Sequence, residues 1–224
     1  MFRRQFVAGS AASAAVVAGR AAQAQAQQFS IATGTTGAVY YPLGGAMANI
    51  LSKKVPGWAV TAEATAGSVA NMHMIRDGKA QLALTQCDTA YDAIKGLDKF
   101  VGKPVESRTL AVVYPNLVHF VTMEGTGINK LSDIKGKRIS TSAPVSGSEV
   151  MALRIIDELG LKLSDIKRER LAPAESTNAM KDGKLDGYFF NGGPPVAAIT
   201  DLAATQGVKI KLIPTADLVP ARSE

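Results

Sequence analysis

The sequence predicts an α/β protein made of two similar lobes that face one another across a cleft. Two observations carry that prediction. From Phe29 onward, short apolar runs alternate with glycine- or serine-bearing loops and helix-patterned segments, which is how strands feed helices in a largely parallel sheet. In addition, "RDGKAQLALTQCDTAYDAI" (Arg76 to Ile94) is echoed without a gap by "KDGKLDGYFFNGGPPVAAI" (Lys181 to Ile199). Two copies so far apart do not make a solenoid. They fit two lobes, because ligands of open α/β sheets sit beyond the carboxyl ends of the strands, where loops turn into helix starts.

The elements follow in order. "FSIAT" (Phe29–Thr33) reads as a buried strand, "LGGAMANILSKKV" as a helix ended by Pro56-Gly57, and "AVTAEA" (Ala59–Ala64) as the second strand. Gly67-Ser68 opens the helix "VANMHMIRD", which Gly78 closes in a left-handed turn. "AQLALTQ" (Ala80–Gln86) is a third strand, "TAYDAI" begins a helix with Asp88 as its N-cap, and "TLAVVY" (Thr109–Tyr114) is a further strand. "LVHFVTM" (Leu117–Met123) is a long strand or a hinge crossing. The second half repeats the pattern: strand "RIST", helix "VMALRIIDELG", strand "IKRERL", helix "ESTNAMKD", strand "LDGYFF", helix "PPVAAITDLAATQ" and strand "VKIKLI".

Residues 1–26 contain no acid, carry Arg3 and Arg4 ahead of a short apolar run, and end in small-x-small sites. That is the layout of an export signal of twin-arginine type, and the run is too short to span a bilayer. Its removal takes three of the 25 basic residues and none of the 19 acidic ones, so the formal net charge drops from +6 to +3. No basic stripe with interleaved aromatics is present, which argues against nucleic acid. The run Lys167-Arg168-Glu169-Arg170 reads as a solvated face. Cys87 is the only cysteine, so no intramolecular disulfide forms, and with His73 and His119 distant it lacks zinc-ligand spacing. A buried thiol behind a strand is the expected role of Cys87, and no cofactor is expected.

Three loops carry candidate binding groups. In "TGTTGAVYYP" (Thr33–Pro42), Gly37 lets the backbone approach a ligand, Thr35 offers a hydroxyl, and Tyr40 and Tyr41 each join an apolar face to a polar tip. In "SAPVSGSE" (Ser142–Glu149), Ser146 or Ser148 caps a helix near Glu149, and Gly147 permits close approach. Gln86 and Asn191 stand at equivalent strand ends, and their amides both donate and accept. Ser68 is a further candidate. Free N–H groups at helix starts favour an anion, and neither loop has the spacing of a nucleotide site. A small carboxylate is therefore the expected ligand, and no catalytic constellation emerges.

The segments "ATGTTGAVYYPLGGAMANIL", "AEATAGSVANMHMIRDGKAQLALTQCDTAYDAI", "LSDIKGKRISTSAPVSGSEVMALRIIDELGL" and "KDGKLDGYFFNGGPPVAAI" resemble the TAXI solute receptors of TRAP transporters. The resemblance implies a periplasmic-binding-protein-like fold of type II, a Venus flytrap, with lobe 1 at 27–115 and lobe 2 at 116–224. It implies a monomeric periplasmic receptor without catalytic activity. Such a receptor captures glutamate, glutamine or a related organic acid and hands it to a TRAP-type membrane permease. The family's pocket falls here on Thr35, Tyr40, Tyr41, Gln86 and Ser146-Gly147-Ser148. Ala38, Ala143 and Val145 stand where many members have glycine. Against the family this chain is shortened at its C-terminus, which predicts marginal stability because the segment that completes the first lobe is missing. The alternatives are an ABC-type binding protein or sensor module of the same fold, an enzyme using Cys87, and a truncated receptor without function.

Overall fold

The computed structural model describes residues 26–215. Apart from Ala26, the expected export signal lies outside them.

The first half places β1 (Gln27–Ala32), α1 (Tyr40–Lys54), β2 (Trp58–Glu63), α2 (Ser68–Arg76), β3 (Leu82–Ala83) and α3 (Cys87–Lys95) in sequence. Its three strands form a parallel sheet ordered β2-β1-β3. The second half contains β4 (Leu117–Met123), β5 (Arg138–Ser140), α4 (Gly147–Glu158), β6 (Lys167–Glu169), α5 (Pro173–Lys181), β7 (Gly187–Gly192), α6 (Ala197–Ala203) and β8 (Ile210–Ile213). These strands form a sheet ordered β6-β5-β7-β4-β8, in which β4 runs antiparallel to both neighbours. The orders β2-β1-β3 and β6-β5-β7 are the same arrangement built twice, and the echoed peptide supplies the third strand of each.

The echo extends to individual hydrogen bonds. Gln81 and Asp186, at matching positions of the repeat, each accept from the middle strand: Gln81 Oε1 from the Ser30 N–H at 2.9 Å, Asp186 Oδ2 from the Arg138 N–H at 2.8 Å. Gly78 and Gly183 close their helices at φ +68° and +67°, a region glycine enters without the Cβ penalty. Leu117–Met123 is a strand, not a hinge, and its alternation is that of a sheet with both faces covered. Phe120 packs with Ile139, Ile155 and Phe189 on one face; Val121 packs with Tyr188, Phe190 and Leu202 on the other.

Four expectations need correction. Thr109–Tyr114 is not a strand: Leu110 and Val112 are 82% and 90% exposed, and among the described residues nothing pairs with them. Strand propensity without a partner ladder leaves a run extended but unpaired. Asp88 is not an N-cap; α3 starts two residues earlier than expected, with Gln86 in the cap position and Asp88 in the first turn. Cys87 is exposed at that helix start rather than buried behind a strand. Finally, Arg168 and Arg170 do not simply face solvent, since both reach 2.7 Å to Glu149 Oε1.

The halves meet through α4. Val150, on α4, is buried in a cluster with Val69, Met72, Ala93, Phe100 and Val105 of the first half. The Ala70 N–H donates to the Val145 carbonyl at 3.0 Å across the same seam.

Candidate functional site

The strand ends are fixed before any ligand group is placed. At the end of β1, the Thr33 N–H and hydroxyl both donate to the Glu63 carbonyl, at 3.0 and 2.5 Å. At the end of β5, Thr141 does the same to the Glu169 carbonyl, at 2.9 and 3.4 Å. Fully buried Asn71 ties three loops together. Its Nδ2 donates to the Thr33 and Leu84 carbonyls at 2.6 and 2.7 Å, and its Oδ1 accepts from the Thr65 hydroxyl at 2.6 Å. Every polar atom of that side chain is thus spent on positioning backbone.

Two serines then hold the two amides. Ser68, at the start of α2, accepts from the Gln86 N–H at 3.1 Å. Ser148, in the first turn of α4, accepts from the Asn191 N–H at 3.0 Å. Gln86 lies three positions past Ala83, where β3 stops pairing with β1, and Asn191 three past Tyr188, where β7 stops pairing with β5, although β7 itself continues against β4 through Gly192. Ser146 is the N-cap of α4 and accepts from the Glu149 N–H at 3.0 Å. Glu149 turns back to accept from the Val145 N–H at 3.0 Å. Caps satisfy only part of a helix start, and the leading N–H groups of the first turn stay available to a ligand.

These loops enclose a hollow of about 400 Å³, counted to its open mouth. The starts of α1, α2, α3, α4 and α5 all reach its wall, at Tyr40, Ser68, Gln86, Gly147 and Pro173. Of the predicted residues, Thr35, Tyr40, Ser68, Gln86, Ser146, Gly147, Ser148 and Asn191 line it. Gly37 and Tyr41 do not. A Cβ on Gly37 would come within 2.9 Å of the Ala174 Cβ, so its small size serves the packing of the first loop on α5. Tyr41 is 36% exposed; one step along a helix turns a side chain by about 100° from its neighbour, and Tyr40 takes the inward position. Tyr114, Phe190, Ser142 and Ala143 also line the hollow and were not predicted. Ser142 and Ala143 lay within a loop already singled out, whereas Tyr114 and Phe190 sat in runs read as plain strands.

The wall is polar at a few points and otherwise apolar. Asn116 Nδ2 donates to the Tyr40 hydroxyl at 3.4 Å, and the Tyr40 and Tyr114 ring centroids lie 6.3 Å apart. Burial raises the pKa of both tyrosines above the ordinary value, so both stay neutral donors at any physiological pH. The Tyr114 hydroxyl and Asn191 Oδ1 are buried without a hydrogen-bond partner among the described residues. An unmade bond of this kind is costly and is relieved by a molecule that supplies it. No side chain of Asp, Glu, Lys, Arg or His among the described residues lines the hollow. Its chemistry is that of hydroxyls, amides, aromatic faces and helix starts.

Comparison with known proteins follows from this geometry. The profile of a family described as the NMT1-like family matches residues 31–222. Among solved structures, the alkanesulfonate-binding protein SsuA from Xanthomonas axonopodis pv. citri bound to MOPS aligns with a TM-score of 0.54 at 18% identity, over 84% of this chain and 60% of that one. A binding protein component of an ABC phosphonate transporter from Pseudomonas aeruginosa gives 0.55 at 13%, over 83% and 64%. An ancestral arginine-binding protein bound to arginine gives 0.53 at 14%, over 83% and 78%. This chain therefore spans less than two thirds of the first two. At such identities the likeness shows the fold, which is that of periplasmic binding proteins.

Proposed function

Because this chain belongs to the NMT1-like family, we propose that it is an exported solute-binding receptor that closes over a small organic anion and delivers it to a membrane permease. In this reading residues 27–115 and 116–224 are the two lobes, the periplasm is the place of work, and no covalent step occurs. The observation that carries it is the hollow walled by helix starts from both sheets, with Asn191 Oδ1 and the Tyr114 hydroxyl left unpaired. Helix starts favour negative charge, and a carboxylate or sulfonate bridging α2 and α4 would join the halves. Capture then shifts the population toward the closed form through its differential contacts.

Two permease classes use such receptors. The TAXI-like motifs support a TRAP-type partner, while the phosphonate relative, described as part of an ABC transporter, supports an ABC-type one. The energy source of uptake separates them: dependence on an ion gradient supports the first, and on ATP the second.

Calorimetry with a panel of carboxylates, sulfonates and phosphonates tests the receptor reading. At least one is expected to bind with micromolar affinity, about 8 kcal/mol, and Ser148→Ala to weaken it. If the whole panel fails to bind or to raise the melting temperature, the receptor reading is wrong.

A further inference from the structure

The same hollow narrows the class of ligand, an inference that rests on the receptor reading above. Among the described residues its wall carries no acid, and five helix starts turn their positive ends toward it. Three acids stand in the first turns of helices that frame it: Asp88 and Glu149 are held by arginines, and exposed Glu175 turns back to accept from the Ala172 N–H at 3.0 Å. Asp88 pairs with Arg154 at 2.9 Å, and Glu149 pairs with Arg168 and Arg170 at 2.7 Å. An ammonium group entering the hollow would meet a positive field with no carboxylate to offset it, and buried cations without a partner are strongly disfavoured.

Asn191 sets the other requirement. It is 8% exposed, its N–H is held by Ser148, and its Oδ1 is buried and accepts from nothing among the described residues. That oxygen asks for a donor on the ligand. Gln86, also 8% exposed, stands at the matching strand end, and the Tyr114 hydroxyl is free to donate. The remaining wall is aromatic and aliphatic, from Tyr40, Phe190, Val39 and Pro173.

We propose that the hollow selects organic acids bearing a hydroxyl or other uncharged donor next to the acid group, and rejects the corresponding α-amino acids. The anionic group sits at the helix starts, the hydroxyl donates to Asn191 Oδ1, and the apolar body lies against the aromatic wall.

Matched pairs test this on the full chain. Phenyllactate against phenylalanine, 2-hydroxyisocaproate against leucine, and 2-hydroxyglutarate against glutamate differ only in hydroxyl for ammonium. In calorimetry at neutral pH, at least one hydroxy acid is expected to bind about tenfold or more tightly than its partner. Asn191→Asp, which keeps an acceptor in place but adds a negative charge facing the bound anion, should weaken the hydroxy acid by a similar factor and narrow the gap to the amino acid. Amino acids that bind as tightly as their hydroxy partners, or hydroxy-acid binding unmoved in a folded Asn191→Asp, would overturn the selectivity and leave the receptor reading intact. If neither series binds, and carboxylates, sulfonates and phosphonates lacking the hydroxyl fail as well, both readings fall together. If those simpler anions bind and the hydroxy acids do not, only the selectivity is lost.

Discussion

Arg154 on α4 reaches across the seam between the halves to Asp92 on α3, with Nη2 to Oδ2 at 2.5 Å. The same guanidinium also contacts Asp88 and Asp98, at 2.9 and 3.3 Å. Asp92 is only 4% exposed, so removing its partner strands a buried charge. Arg154→Ala should destabilise the fold by about 3 kcal/mol, the usual cost of breaking such a pair. Arg154→Met with Asp92→Leu should recover much of it. Denaturant unfolding of the three proteins checks this; equal stability of the single variant and the parent would mean that the pair contributes nothing.

Gly147 packs against Gln86 and Ser68 of the first half at the hollow. A Cβ there would lie 2.7 Å from Gln86 Cδ and Oε1 and 2.9 Å from the Ser68 hydroxyl. Gly147→Ala must displace Gln86 or part the halves, and overpacking of this kind costs about 1–3 kcal/mol. Ligand affinity should fall about tenfold or more, equivalent to 1.4 kcal/mol, as titration calorimetry would register.

Asn71 should matter for stability rather than contact, since it does not line the hollow. Asn71→Ala leaves the Leu84 carbonyl without its donor and the Thr33 carbonyl with only the Thr65 hydroxyl at 3.2 Å. The expected loss is about 1–3 kcal/mol, read as a lower urea midpoint with an unchanged slope.

Val145 holds φ +54° and is 46% exposed. A β-branched residue pays to occupy the left-handed region, about 1–2 kcal/mol, and buries little side chain in return. Val145→Gly should raise the melting temperature by about 2–4 °C per kcal/mol gained. A lower melting temperature would show that the side chain's packing outweighs the strain.

Acid sensitivity should run through Asp186. The Arg138 guanidinium holds its carboxyl below the ordinary value of 3.8. A group whose pKa is depressed on folding adds stability above its unfolded value and loses it as pH falls through the folded one. Stability should therefore drop below about pH 4, and Asp186→Asn should flatten that limb of an unfolding-versus-pH curve. An acid limb identical in the two proteins would exclude Asp186 as its source.

Much of the site was legible because it is written in local signals. Ser146 was recognisable as a cap from its place before an acid and an apolar run, and it accepts from Glu149 as a cap does. The equivalence of Gln86 and Asn191 was visible as an ungapped repeat, and both stand three residues past the last pairing of β3 with β1 and of β7 with β5. Tyr114 was hidden for the opposite reason. Its neighbours Leu110, Val112 and Val113 look like strand residues, yet among the described residues no strand pairs with them, and of that run only Tyr114 lines the hollow.

What the sequence alone settled is most of the order of strands and helices, residues that stop helices such as Gly78 and Gly183, and the duplication of that order. These depend on backbone preferences and periodicity within a few residues. The fold decided the rest: that Tyr40 and not Tyr41 turns inward, that Cys87 lies open, and that Arg154 finds three acids more than fifty positions away. Periodicity says which face of an element is covered, while the identity of whatever covers it depends on how distant elements pack.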